Sequence, residues 1–231
     1  FALYISNTHS GCTRELLPQH TICIMASDIL FKKNQGREYN QVENQFATDI
    51  IYATCGEGHV KGTDGKRHDP MLKLYKDRPL SISKNIDVKN CIANGAMCKF
   101  KGIILHDGSA GNCIEQILID GLYVNCIQAS SVKSLVVEMI DGNLDPNKPK
   151  VIHLSVQNVT TSVHFPIPWD GPINKHTRRI WRKIKFKQFP VTVANARTVH
   201  KLQGRSIKHL VISTWNYTGN WVYVVLSKVT I

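Results

Sequence analysis

The stretch ARTVHKLQGRSI, residues 196–207, places a histidine, a lysine, a glutamine and a glycine within five consecutive positions. It lies between two apolar runs, FPVTV at 189–193 and HLVIST at 209–214, that are typical of β-strands. We call residues 196–207 the polar knot. Hydroxyl and imidazole groups can donate to phosphate oxygens, and glycine lets a ligand approach the backbone closely. The alternative is that His200 and Gln203 cap a helix and satisfy turn amides.

The positive charge of the chain is concentrated in its last quarter. The 231 residues carry a formal net charge of +12 at pH 7. Residues 171–231 contain 12 Lys and Arg and neither Asp nor Glu, so the excess lies there. A one-sided basic segment favours a polyanionic partner such as nucleic acid or a nucleotide phosphate. A solvated basic face is the alternative.

The seven cysteines indicate free thiols and not a disulfide framework or a zinc site. Their number is odd, no two are spaced as C-x-x-C, and there is no secretory signal. No apolar run approaches the roughly 18–20 residues that cross a bilayer. We therefore expect an intracellular protein of a reducing compartment, nuclear or mitochondrial, without membrane segment or bound structural metal. The chain begins at Phe1 and ends within an apolar run, so we expect a piece of a longer protein.

The first 70 residues predict two extended elements, a short helix and an irregular segment. ALYISNT at 2–8 is typical of a buried strand, and SGCTRELLPQH at 10–20 of a helix that Pro18 ends. TICIMASDILF at 21–31 is apolar and rich in β-formers. Residues 32–67 are polar and contain several glycines, which predicts an irregular or mobile segment.

Residues 72–165 alternate short β-rich runs with turn dipeptides. Asn94-Gly95, Asp107-Gly108, Asp120-Gly121 and Asp141-Gly142 are strong hairpin signals, because glycine accepts the positive φ of such turns. Four or five antiparallel strands at this spacing predict a small barrel or curled sheet. Two of the aspartates follow apolar runs, as a magnesium-binding strand end would, but the glycine after each favours an ordinary turn.

A row of lysines, which we call the lysine row, lies at Lys183, Lys185 and Lys187. These alternate with Ile184 and Phe186, and this period of two predicts a half-buried strand whose lysines face outward. Ammonium groups about 7 Å apart along a strand match the phosphate spacing of a stretched single-stranded nucleic acid. The alternative is an edge strand that lysines protect against aggregation.

The polar knot and its flanks resemble the C-terminal motor domain of superfamily 1 helicases, most closely the Pif and RecD type. Residues 198–204, TVHKLQG, are similar to the fifth motif of that family, and residues 221–228, WVYVVLSK, to the sixth. RPLSISKNIDVKNCIANGAMCKFKGIIL at 78–105 is similar to the stretch that enters a barrel inserted in this domain. LYISNTHSGCTREL at 3–16 is similar to the beginning of the second RecA-like domain.

The resemblance implies an α/β fold. It would be a second RecA-like motor domain of the P-loop NTPase type, with a parallel sheet and an inserted small SH3-like antiparallel β-barrel. Residues 1–70 would be the first part of the RecA-like domain with its irregular loop, 71–170 the barrel, and 171–231 the remainder. The resemblance also implies a helix at 221–229, where propensity alone predicts a strand.

For the polar knot, the resemblance implies contacts to both DNA and nucleotide. Thr198, His200 and Lys201 would contact a DNA phosphate. Gln203 would sense the γ-phosphate, Gly204 would allow close backbone approach, and Ser206 would lie near the ribose. The predicted nucleic-acid contacts in the segment before the knot are Arg179, Arg182, Lys183, Lys185 and Lys187.

Lys228 stands where the family carries an arginine finger. It and Gln203 are the predicted catalytic residues, and both would also contribute to nucleotide binding. An arginine finger is worth about 10³–10⁵ in rate in other phosphoryl-transfer systems. Lysine keeps the charge but lacks the planar fork that binds bidentately, so we expect reduced ATPase competence.

ATP and Mg²⁺ would be bound mainly outside this chain. The sequence contains no G-x-x-x-x-G-K-[ST]. The nearest approach, Gly65-Lys66, has Val60 where the pattern needs glycine and Arg67 where it needs Ser or Thr. In the family the first RecA-like domain supplies the phosphate loop, the metal site and the catalytic glutamate.

The resemblance thus implies a C-terminal fragment of an ATP-dependent 5′–3′ DNA helicase, of a kind that serves DNA repair, recombination and telomere maintenance. Its expected partners are single-stranded DNA and the missing N-terminal RecA-like domain of the same protein, and we expect a monomer. The fragment alone should hydrolyse little or no ATP. The alternative is a non-enzymatic nucleic-acid-binding module derived from a degenerate helicase.

Overall fold

The computed structural model describes residues 3–5, 21–32, 39–53, 60–106, 114–119, 122–140, 150–165, 180–194 and 210–212, together with Tyr223 and Leu226. These ranges contain sixteen strands, one α-helix described over its length, two single turns of 3₁₀-helix, Val88–Asn90 and Ala129–Ser131, and two further helical residues, Tyr223 and Leu226. No helix in these ranges is long and apolar enough to cross a membrane.

The helix α1 spans Gln41–Ala53. The strands, in chain order, are β1 Leu3–Ile5, β2 Ile22–Met25, β3 Ser27–Phe31, β4 Val60–Lys61, β5 Arg67–His68, β6 Met71–Leu74, β7 Pro79–Ile82, β8 Met97–Leu105, β9 Ile114–Ile119, β10 Leu122–Gln128, β11 Val132–Met139, β12 Val151–Leu154, β13 Gln157–Phe165, β14 Ile180–Gln188, β15 Val191–Val193 and β16 Leu210–Ile212.

The largest buried cluster lies between two packed sheets. One sheet has the order β12-β11-β8-β7-β15 and the other β6-β2-β10-β9. Leu80 and Leu135 from the first sheet and Ile24 and Leu72 from the second are fully buried in the same cluster. Burial of each such side chain contributes about 1.5–3 kcal/mol. The pairs β9–β10, β11–β12, β8–β11 and β7–β8 are antiparallel, which confirms the predicted antiparallel strands. The described strands form two packed layers and no closed barrel.

The turn dipeptides predicted some pairings and missed others. Ile119 pairs with Leu122, so β9 and β10 form the two-residue hairpin predicted at Asp120-Gly121. The prediction at Asp107-Gly108 was wrong, because β8 pairs with β7 and β11 and not with the next strand, β9. A turn dipeptide reports only local backbone preference, whereas strand pairing depends on packing of the whole core. β8 belongs to the sheet β12-β11-β8-β7-β15 and β9 to the sheet β6-β2-β10-β9.

Parallel pairing occurs at two places in the described chain. β1 pairs with β16, Leu3 opposite Leu210 and Ile5 opposite Ile212. β2 pairs in parallel with β10. The remaining pairs between described strands are antiparallel. The described ranges thus combine α and β structure, as predicted, but most of their strand pairs are antiparallel, and the predicted parallel sheet is limited to these two strand pairs.

The prediction that residues 32–67 are irregular was wrong at α1. Asn40 caps this helix: its Oδ1 accepts the N–H of Glu43 at 2.8 Å, and its own N–H donates to Oε2 of Glu43 at 2.9 Å. This reciprocal pair satisfies donors that the first helical turn leaves free. Ala47 and Ile51, four residues apart, form the buried side of the helix.

A third sheet, β13-β14-β3, lies over a second buried cluster that includes α1. Tyr52 of the helix donates its hydroxyl to the carbonyl of Ala26 at 2.7 Å, and Asn44 Oδ1 accepts the N–H of Phe31 at 3.2 Å. The β4–β5 hairpin extends this sheet through the bridge between Gly62 and Thr161. The helix therefore holds β3 in place beside β14.

Strand pairing crosses both predicted domain boundaries. β2 pairs with β6 and β10 across residue 70, and β14 pairs with β13 across residue 170. The division at these residues stays a prediction. Tyr223 and Leu226 are helical, in agreement with the helix implied at 221–229. The predicted helix at 10–20 lies outside the described residues.

Candidate nucleic-acid interface

The lysine row lies on a central strand. Ile184 and Phe186 of β14 are 0% and 1% exposed, whereas Lys183 and Lys185 are exposed. The predicted half-buried strand is therefore confirmed. Because β14 is bonded to β13 on one side and to β3 on the other, the edge-strand alternative is wrong. The lysines are not needed to protect an open strand edge.

The exposed side of this sheet carries further lysines. Residues directly opposite on paired strands project to the same face. Lys32 donates its N–H to the carbonyl of Lys183 at 2.7 Å and is exposed. Lys61, next to the Gly62–Thr161 bridge, is also exposed. We call this surface the lysine face; its lysines are Lys32, Lys61, Lys183, Lys185 and Lys187.

Neutral side chains lie between these lysines. Thr160 of β13 and Leu30 of β3 lie opposite Lys185, and Ser162 of β13 lies opposite Lys183. Leu30 is 48% exposed. Cations spaced by short hydroxyl side chains and one apolar side chain can bind a phosphate backbone without a specific base contact.

Arg182 lies on the other side of β14. It is half-buried and opposite Val163, on the face that carries Ile184 and Phe186. Strand alternation therefore separates Arg182 from the lysine row. Several predicted site residues lie outside the described residues: Arg179, Thr198, His200, Lys201, Gln203, Gly204, Ser206 and Lys228.

The last lysine of the row is paired with a carboxylate that sequence reasoning missed. Nζ of Lys187 lies 2.7 Å from Oδ2 of Asp28 on β3, and both side chains are partly exposed. The sequence signal was weak: Asp28 and Lys32 flank the apolar run ILF at 29–31, and the structure shows that Asp28, Leu30 and Lys32 are all exposed. That pattern marks an exposed strand face but does not identify its neighbour.

Gln188 anchors the end of β14. It is fully buried, and its Nε2 donates to the carbonyls of Ile24, Asp69 and Pro70 at 3.2, 3.0 and 3.1 Å. Its Oε1 accepts the N–H of Phe189 at 3.0 Å. One amide thus joins the lysine row to β2 and to the connection between β5 and β6.

Asp69 contacts the strand that leads to the polar knot. Its Oδ2 accepts the N–H of Val193, the last residue of β15, at 3.5 Å. Burial raises the pKa of Asp69 to about 6, opposed by this N–H and by the charge of Arg78. The pKa of this carboxyl group is therefore well above that of an ordinary aspartate, and Val193, whose N–H it accepts, lies three residues before the polar knot begins.

Within the described ranges, no group of three or more His, Cys, Asp or Glu side chains is placed to hold a metal ion. No disulfide joins the described cysteines Cys23, Cys91, Cys98 and Cys126 to one another. The chemistry that this surface supports is the binding of an extended polyanion.

Comparisons with known proteins give a structural match. No family model and no curated protein matches the chain. A structure described as two coordinating Pif1 helicases unwinding forked double-stranded DNA aligns with 100% of this chain and 37% of its own, at 16% identity and a TM-score of 0.50. Candida albicans Pif1 aligns with 92% of this chain and 38% of its own, at 13% identity and a TM-score of 0.48. Bacteroides sp. Pif1 in complex with ADP-AlF4 aligns with 99% and 38%, at 15% identity and a TM-score of 0.46.

The chain thus has the fold of part of a Pif1 helicase. It spans about 37% of the length of the first of these structures. The resemblance noted in the sequence is confirmed at the level of the fold.

Proposed function

We propose that this chain is the C-terminal motor part of an ATP-dependent DNA helicase of the Pif type that moves 5′ to 3′. One observation carries the proposal. The central strand β14 turns the exposed Lys183 and Lys185 outward, and the chain continues from it through β15 into the polar knot. A surface that would bind a nucleic-acid backbone is thus connected, through the few residues of β15, to the segment that resembles the fifth helicase motif.

The β1–β16 pair supports a second RecA-like domain. β16 follows the polar knot, and its parallel partner β1 lies at the beginning of the chain. Parallel pairing between strands distant in sequence is typical of α/β motor domains. On this proposal the two packed sheets contain the inserted SH3-like module, and β1 and β16 belong to the parallel sheet of the motor.

The residues fall into two groups, those that would contact DNA phosphates and those that would approach ATP. The lysine face would bind successive phosphates of a single strand, with Thr198, His200 and Lys201 contacting a further phosphate. Gln203, Gly204, Ser206 and Lys228 would approach ATP held in the N-terminal RecA-like domain of the same protein. That domain would also hold Mg²⁺, which offsets the negative charge on the phosphates. The odd number of cysteines and the lack of a C-x-x-C pair support a reducing compartment, nuclear or mitochondrial.

DNA-stimulated ATP hydrolysis tests this proposal. A polypeptide extended N-terminally to include a phosphate loop should hydrolyse ATP at least about tenfold faster with single-stranded DNA than without it. DNA bound to the lysine face would position the connected nucleotide contacts of the polar knot. Replacing the lysine of that loop should abolish the activity, and the 231-residue chain alone should show none. An extended protein with a basal rate that DNA leaves unchanged would contradict the proposal.

The second candidate is a non-enzymatic nucleic-acid-binding module. It is favoured by Lys228 at the arginine-finger position. Such a module would bind single-stranded DNA with the salt dependence expected of the lysine face, yet the extended protein would hydrolyse no ATP. The ATPase and binding measurements together separate the two.

A further inference from the structure

The row ends at an ion pair with unusual backbone geometry. Asp28, the partner of Lys187, has φ +50°, in the left-handed region that non-glycine residues seldom adopt. The pairing of β14 with β3 shifts register at the same point, between Lys185 and Lys187. The extra residue of this β-bulge lies in β3, because Lys185 pairs with Leu30 and Lys187 with Ser27. Bulges of this kind redirect a side chain.

The carboxylate of Asp28 lies directly against the ammonium group of Lys187. Oδ2 of Asp28 lies 2.7 Å from Nζ of Lys187, the distance of a charge-assisted hydrogen bond. The side chains of Asp28 and Lys187 remain 48% and 40% exposed. Solvent partly screens the pair, but the carboxylate is tethered beside the ammonium group, and this high effective concentration favours it over an incoming phosphate.

Lys183 and Lys185 differ from Lys187 in this respect. Neither forms an ion pair with a carboxylate in the described part of the chain, and both are more open to solvent. The three lysines are otherwise equivalent, since they lie on one face of one strand at equal spacing.

We propose that Asp28 is an internal phosphate mimic that limits the row to two phosphate sites. It occupies Lys187, so that an incoming single strand meets two free ammonium groups on β14 instead of three. The inference rests on the proposed function, because it assumes that the row binds a nucleic-acid backbone. Weaker binding lets a motor release and rebind its strand at each step. The β-bulge and the left-handed backbone of Asp28 keep its carboxylate beside Lys187 and so maintain the limit of two phosphate sites.

Substitution of Asp28→Asn tests the inference. Asparagine has nearly the same shape and tolerates a left-handed φ, but it carries no charge. Binding of labelled oligothymidylate to the 231-residue chain is measured by fluorescence anisotropy over a series of salt concentrations. We expect affinity at low salt to rise about three- to tenfold. The slope of log K against log salt should steepen by about 0.7, the contribution of one phosphate contact on a single strand.

Asp77→Asn is the matched control. Asp77 also has a left-handed φ, +63°, and also pairs through an exposed side chain, with Lys101 at 2.6 Å. It lies in the turn between β6 and β7, so its loss removes the same charge away from the lysine face. Asp77→Asn should leave the slope unchanged. The double substitution Asp28→Asn with Lys187→Met should return the slope to that of the unmodified chain.

The outcomes separate the inference from the proposed function. If the unmodified chain shows salt-dependent binding and Asp28→Asn leaves the slope unchanged, the proposed function survives and the inference is wrong. The inference is also wrong if Asp77→Asn gives the same gain, because the effect is then one of net charge. If neither chain binds with a salt dependence, the row does not bind DNA and both proposals fail. Thermal unfolding of each variant verifies that all are folded.

Discussion

Replacing Lys183 and Lys185 together with methionine is expected to weaken binding of single-stranded DNA at least about tenfold at low salt. Both side chains are exposed on a strand whose opposite face is buried, so the substitutions remove charge without changing the core. Each phosphate contact on a single strand contributes about 0.7 to the salt dependence, so the slope should fall by about 1.4. Methionine retains the apolar stem of lysine, and thermal unfolding should be nearly unchanged. Anisotropy titrations at several salt concentrations give both quantities.

The control removes two lysines from other surfaces. Lys76 lies in the turn after β6 and Lys133 on β11, and both are exposed. Replacing both with methionine lowers the net charge equally, so a general electrostatic attraction would fall to the same extent. Equal losses from the two double variants would show that the lysine face is not the binding surface.

Gln188→Leu is expected to cost about 2–4 kcal/mol of unfolding free energy. The amide is fully buried and makes four hydrogen bonds, and leucine would leave the carbonyls of Ile24 and Asp69 without this donor. For a chain of this size that loss lowers the melting temperature by roughly 4–16 °C. Urea unfolding followed by circular dichroism measures it.

Gln128→Leu is the matched control for that substitution. Gln128 ends β10 and is exposed, so its replacement should change the unfolding free energy by less than about 0.5 kcal/mol. If Gln188→Leu were as mild as this control, the amide would not be what fixes the end of β14.

The sequence predicted the lysine strand because the signal is local. Three lysines alternating with two apolar residues require a strand with one buried face, whatever lies beside it. What could not be predicted is which strands lie beside β14. Lys32 and Asp28 come to it from a segment far away in sequence, and such register depends on packing of the whole sheet and on a bulge in β3.

The helix α1 shows a different kind of miss. The signal was present, since Asn40 and Glu43 have the N-x-x-E spacing of a capping box and Ala47 and Ile51 follow at helical spacing. The polar residues and glycines around it favoured an irregular segment. Local capping chemistry outweighed composition there, and burial against β3 completes the helix.

The fold as a whole was recognisable from few residues. The chain is only 16% identical to the aligned Pif1 structure, and the buried core of its β-rich body consists of ordinary apolar residues. Many sequences satisfy that alternation, because packing tolerates apolar exchange when volume and pattern are kept. The polar knot and the WVYVVLSK segment instead resemble helicase motifs, and the order of such segments along the chain predicted the fold that the structural comparison shows.

Photo-crosslinking is the most direct test of the central claim, that the lysine face and the polar knot bind the same single strand. Oligothymidylate carrying 4-thiothymidine would be irradiated with the 231-residue chain, and the crosslinked peptides identified by mass spectrometry. The account predicts crosslinks from one oligonucleotide to residues 180–188 and to residues 196–207, both lost when excess unlabelled oligonucleotide competes. Crosslinks confined to other surfaces, such as the one around Lys133, would contradict it.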